Sequence, residues 1–173
     1  MYVVSDFRAS GIRPAGALFY EPAYQTVVRQ MAALVIATEG PVFDDVLVRR
    51  VAEAHGFGRA GAVIRQAVLG AVDRSVLRTI DPDGRTIDSD GRTVFWPAGT
   101  TPRTVVYRRA SRTDRKVADI PFEELVALAR TLDLDNLFDP DALEGMRREL
   151  ELERLQDPTR SRVMRAVNMA RTG

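Results

Sequence analysis

Between Ser75 and Trp96 the chain changes its hydrophobic period, and that change limits the folds open to it more than any other feature. Upstream, apolar residues recur three and four apart in three successive stretches. Tyr24, Val27, Met31, Leu34 and Val35 mark a helix over 22–38, with Pro22 suited to its first turn. Phe43, Val46, Leu47, Val51 and Ala54 mark a second over 43–55, and Val63, Ile64, Ala67, Val68, Ala71 and Val72 a third over 60–75. Downstream come short extended pieces over 76–80, 85–87 and 92–96, separated by Asp81-Pro82-Asp83-Gly84 and Asp90-Gly91, which are hairpin-turn residues. Thr104 to Tyr107 alternates weakly and offers one more strand.

The punctuation agrees with this division. Glu39-Gly40-Pro41-Val42 ends the first helix because proline cannot continue one, and Asp44 and Asp45 then occupy the first turn of the second, where the helix dipole favours acids. Gly56-Phe57-Gly58-Arg59 joins the second helix to the third, as in a helix-turn-helix. Three helices followed by a hairpin are the order of a winged helix, whose third helix can enter a major groove while the wing follows the backbone. The expected fold is therefore α+β and mainly helical: a winged helix-turn-helix (three helices plus β-wing) over 21–116. A lead-in or linker over 1–20 precedes it and a C-terminal helical appendage over 117–173 follows. In that appendage Pro121, Pro140 and Pro158 each stand at or near a helix start.

Formal charge is nearly balanced at +1, but it is segregated. From Arg85 to Lys116 eight basic residues face Asp88, Asp90 and Asp114, an excess of five, whereas from Asp119 to Asp157 twelve acidic residues face four arginines. All the basic residues but Lys116 are arginine, a type suited to phosphates and base edges and also favoured by GC-rich codon usage. On the winged-helix reading Arg59, Arg65, Gln66 and Arg74 project from the turn or the outer side of the third helix. Arg85 and Arg92 flank the wing turns, and Arg103, Arg108 and Arg109 extend the strip. Against this, Ala62, Leu69, Gly70 and Asp73 share that outer side, which is apolar and acidic for a groove-reading surface.

Several chemistries find no support. There is no cysteine, so thiolate nucleophiles, disulfides and Cys-built metal sites are excluded. His55 is the sole histidine and stands at a helix C-terminus, where the dipole would favour its protonated form; a capping or packing role is expected. Gly56-Phe57-Gly58-Arg59-Ala60-Gly61 matches the dinucleotide pattern, with Asp81 about twenty residues on. A helix rather than a buried strand precedes it, so Gly56 is instead expected to cap that helix with positive φ, and Gly58 or Gly61 to let helices approach. Glu123, Glu124, Asp133, Asp135, Asp139 and Asp141 lack metal-ligand spacing and are expected to form a solvated face. Trp96, after Val94 and Phe95, is expected to pack in the core rather than stack on a base. No Walker loop, zinc-protease helix motif or nucleophile elbow occurs, so an enzyme is not expected, nor any metal or other cofactor. The first ten residues lack a signal-peptide core and no apolar run reaches membrane length, so a cytoplasmic protein without a membrane partner is expected.

Glu39-Gly40-Pro41-Val42, then Leu47, Arg50, Gly56, Arg59-Ala60-Gly61 and Ile64, then Val94-Phe95-Trp96, Ile120-Pro121 and Glu123-Glu124, together carry a likeness. Over about two thirds of its length, roughly Tyr20 to Leu132, the chain resembles a bacterial domain-of-unknown-function family. That family is found near the C-terminus of very large superfamily-one helicase proteins with an appended nuclease-like domain. The resemblance implies an accessory region of a helicase- or nuclease-type protein and transfers no catalytic residue. The expected function is a non-catalytic DNA-binding module that holds duplex or a junction, chiefly by phosphate contacts. The alternative is a protein-docking or autoregulatory module in which the acidic C-terminal helices engage a partner or mask the wing.

Overall fold

A computed structural model of the protein describes residues 1–81, 91–132 and 138–172. Helix α1 (Gln25–Glu39) grows out of a 3-10 turn at Pro22–Tyr24, where the proline ring presets a helical φ. Its Val28, Met31, Ala32, Val35 and Ile36 face inward. Strand β1 (Val42–Phe43) follows the break at Gly40-Pro41, then α2 (Asp44–Ala54) and α3 (Ala62–Ala71). Strands β2 (Leu77–Ile80) and β3 (Thr93–Trp96) complete an antiparallel sheet of order β1-β3-β2, with Phe95 opposite Val42 on one side and Arg78 on the other. The three helices pack on one another and, with Val94, Phe95 and Trp96 of the central strand, close the first core.

A second core lies between α4 (Phe122–Ala129), α5 (Asp139–Glu149) and α6 (Thr159–Thr172), around Leu125, Leu128, Met146, Val163 and Val167. Among the described residues the fold is thus α+β, with six α-helices and one small sheet, and no helix is long and apolar enough to cross a membrane.

Four local expectations need correction. Helix α3 stops at Ala71 rather than Ser75, because Val72 turns extended (ψ 127°) and the Arg78 guanidinium donates to the carbonyls of Val72, Asp73, Arg74 and Val76. Val63, expected inward, is 63% exposed, since the face defined by Ile64, Val68 and Ala71 turns it away from the core. Thr104–Tyr107 forms no strand; the Val105 amide bonds to the Thr101 carbonyl in a turn. Residues 1–20 are no loose lead-in, because Tyr2 and Phe19 are buried and the Tyr2 amide donates to the Arg109 carbonyl at 2.8 Å. The expected strand over 85–87 lies outside the described residues.

Candidate nucleic-acid interface

The solvent side of α3 is built by its period: with Ile64, Val68 and Ala71 buried, Ala62, Val63, Gln66 and Gly70 are left facing water. Arg59, in the turn before the helix, and Arg74, after it, are exposed too. Arg59, Gln66 and Arg74 make no side-chain hydrogen bond or ion pair with the described residues. Asp73, the acid on this side, is held below the ordinary carboxylate range by hydrogen bonds from the Ser75 hydroxyl and amide.

The other arginines of the expected strip meet a different fate. Arg65 pairs with Asp44 at the start of α2. Arg92 lies over the Phe43 ring, its Cζ 3.6 Å from the ring centre, and bonds to Asp45 (2.5 Å) and the Ala118 carbonyl (2.6 Å), with Asp119 at 3.5 Å. Arg108 donates to Glu124 at 2.9 Å and to the carbonyls of Glu39 and Pro41. Arg109 pairs with Glu149 at 2.6 Å while both stay half exposed. Arg103 is unpaired but stands apart, on a groove shared with Leu128, Arg130 and Glu149 of the second helical layer. Arg85 lies outside the described residues. Among the described residues these arginines do not form one continuous basic strip: the acidic segment that follows in sequence has been drawn onto Arg92, Arg108 and Arg109.

Sequence reasoning missed the partners in these clusters. Glu124, expected in a solvated face, is fully buried between Arg108 and Arg115, and Arg115 itself is 6% exposed. Glu39 is fully buried and accepts from the Tyr2 hydroxyl (2.5 Å), the Ser5 amide (3.0 Å) and Arg50 (3.0 Å). Burial alone would raise its pKa, but these donors, Tyr2 first, hold it below the ordinary value. The same burial, with the Glu39 carboxylate as neighbour, pushes the Tyr2 hydroxyl up to about 12. Asp81, directly after β2, accepts from the Phe122 amide (3.0 Å) and Arg162 (2.9 Å), tying the sheet to α4 and α6. Each partnership spans from 9 to 81 residues of sequence, so no local pattern announces it.

His55 is a packing residue, but the expectation of a charge favoured by the dipole is overturned. Burial among Phe19, Tyr24 and Phe57 lowers its pKa, against the opposing hydrogen bond to the Val51 carbonyl. Nδ1–H donates to that carbonyl at 2.7 Å, so neutral Nε2 accepts from the Tyr24 hydroxyl at 3.0 Å, and that hydroxyl accepts from the Ala15 amide at 2.7 Å. Gly56 does cap α2 with φ +78°, whereas a Cβ at Gly58 or Gly61 would meet open space, so neither mediates a close approach. That role belongs to Gly16, whose Cβ would lie 2.5 Å from the His55 carbonyl oxygen. Trp96 is 1% exposed, its indole N–H on the Thr79 hydroxyl at 2.9 Å, and so packs in the core. No group of three potential metal ligands occurs among the described residues; Asp133 and Asp135 lie outside them.

Comparison with protein families matches residues 17–66 to a family described as a protein of unknown function, DUF3320. The match spans α1, α2 and the first half of α3, and makes this stretch similar to a domain of unknown function. Neither curated proteins nor solved structures give a match.

Proposed function

We propose that the chain is a non-catalytic winged-helix module that binds nucleic acid from the solvent side of α3, chiefly by phosphate contacts. The observation that carries this reading is that Gln66 on the exposed side of α3, with Arg59 and Arg74 in the segments before and after the helix, makes no side-chain hydrogen bond or ion pair with the described residues and neither do those two arginines, whereas Arg65 and Arg92 are paired with carboxylates. Two guanidiniums supply phosphate contacts, and Gln66 has the donor and acceptor that an adenine edge requires. The winged-helix assignment is supported by the order helix, strand, helix, helix, strand, strand with the last strand in the middle of the sheet. A linked helicase or nuclease as the larger context rests on the resemblance carried by Glu39–Val42 and Arg59–Gly61.

The test is anisotropy of labelled duplex, junction and single-stranded DNA with the full chain over a salt series. Each phosphate neutralised contributes a slope of about −0.9 on a log–log plot, so Arg59 and Arg74 alone predict about −2, and Arg85 would extend it towards −3. Arg59→Glu with Arg74→Glu removes that slope while leaving the fold intact, since both side chains are solvated. Arg92 is unsuitable for such a test because its replacement would uncouple Asp45 and Asp119.

A second reading has its own observation: Ala62, Val63 and Gly70 make much of the α3 face small and apolar. On that reading α3 docks a protein. A folded chain that binds no DNA even at low salt decides for it.

A further inference from the structure

We infer that the segment 103–109 is a docking edge for an extended acidic peptide, a site separate from the α3 face. The sequence pattern at Thr104–Tyr107 is that of a strand, yet no strand forms. The amides of Val106, Tyr107, Arg108 and Arg109 donate no hydrogen bond to the described residues, and the carbonyls of Val105 to Arg108 accept none. A stretch with strand-type residues and unpaired backbone groups is the substrate for strand addition by another chain, in which main-chain bonds give affinity and side chains give selectivity.

The groove beside this edge selects the partner. It runs between residues 103–109 and the end of α4, and Glu149 of α5 reaches it. Among the described residues Arg103 on one wall and Arg130 on the other carry no carboxylate partner, while Arg109 is held by Glu149, so the described lining has an excess of positive charge. Between the guanidiniums the lining is mixed, with Ala127 and Val106, the latter 69% exposed, beside Thr104 and Thr131. An extended peptide with carboxylates on one face and aliphatic side chains on the other meets both requirements, because a strand presents alternate residues to opposite faces. A nucleic-acid strand meets them less well: Glu149 would face its phosphates, and the aromatic ring in the lining, Tyr107, is half-buried with its hydroxyl turned to the Glu149 carbonyl at 3.4 Å.

The experiment uses the full chain and a labelled peptide of about eight residues, a usual strand length, alternating Glu and Val. Three controls accompany it: the same peptide with Gln for Glu, with alternate amides N-methylated, and a single-stranded oligonucleotide. Saturable binding of the Glu–Val peptide is expected. It should fall at least tenfold for the Gln and N-methyl peptides and for Arg103→Glu with Arg130→Glu, with an unchanged circular dichroism spectrum and thermal midpoint. Hydrogen exchange at Val106 to Arg109 should slow on binding. No peptide binding, equal binding of the N-methylated peptide, or an oligonucleotide that binds through Arg103 and Arg130 where the peptide does not, would each overturn the assignment. Arg59→Glu with Arg74→Glu must leave the peptide affinity unchanged, which separates this site from the one on α3.

Discussion

Replacing Glu124 by glutamine should be among the most damaging conservative changes in the chain. The carboxylate is fully buried, and among the described residues it is the only carboxylate bonded to Arg108 or Arg115, whose side chains are 16% and 3% exposed. Without it Arg115 retains a 3.4 Å bond to the Asp119 carbonyl and its position 4.6 Å from the centre of the Tyr2 ring, neither of which neutralises a charge already removed from water. Removing one partner of a buried pair costs about 3–5 kcal/mol. With an m-value of about 2 kcal/mol/M, the urea midpoint should fall by about 2 M. Glu149→Gln is the internal control, because that pair with Arg109 is 41% and 53% exposed and should be worth under about 1 kcal/mol. Equilibrium urea unfolding followed by Trp96 fluorescence measures both. A loss for Glu124→Gln no larger than for Glu149→Gln would refute the reasoning. Glu124→Leu combined with Arg108→Met and Arg115→Met should recover most of the loss, and a triple variant as unstable as Glu124→Gln would show that an unpaired charge was not its cause.

Three further outcomes follow from the same geometry. The folded-state pKa of Tyr2 lies above its ordinary 10.0, so the stability it lends is complete below pH 10 and drains away as pH rises towards about 12; Tyr2→Phe should flatten that limb in a thermal-melt pH series, and a parallel limb would contradict it. His55 has a folded-state pKa below its ordinary 6.5, so the unfolded chain takes up the proton first and stability falls as pH drops through about 6.5; NMR titration of this sole histidine should give a midpoint below 6.5, and one above it would remove the argument from burial. Gly16→Ala should cost about 1–3 kcal/mol, since the new methyl meets the His55 carbonyl at 2.5 Å, whereas Gly58→Ala meets open space and should be near neutral in the same melt.

Legibility in the sequence followed the range of the forces involved. The three helical stripes and the capping glycine were readable because each is decided within one or two helical turns: Met31 and Val35 point where their period puts them, and Gly56 takes the φ its neighbours require. Val63 was misread because one residue at the edge of a stripe is placed by about 100° of helix phase, which only the packed neighbours settle. The arginine strip was readable as a composition but not as a surface. Whether Arg92 faces solvent or lies over Phe43 depends on Asp45 and Asp119, one reached across the sheet and the other along a connector.

What the amino-acid order determined by itself was the class of the fold, the succession of three helices ahead of the extended segments of β2 and β3, and the separation of positive from negative charge along the chain. Tertiary structure decided which charges remain available. Folding brought Glu39, Asp119, Glu124 and Glu149 onto Arg50, Arg49, Arg92, Arg108, Arg115 and Arg109, because a charge carried out of water must find its opposite within a few ångströms, at whatever distance in sequence that opposite lies. Arg59, Arg74, Arg103 and Arg130 face outward with no carboxylate of the described residues folded against them, and it is this remainder that the two proposed surfaces use.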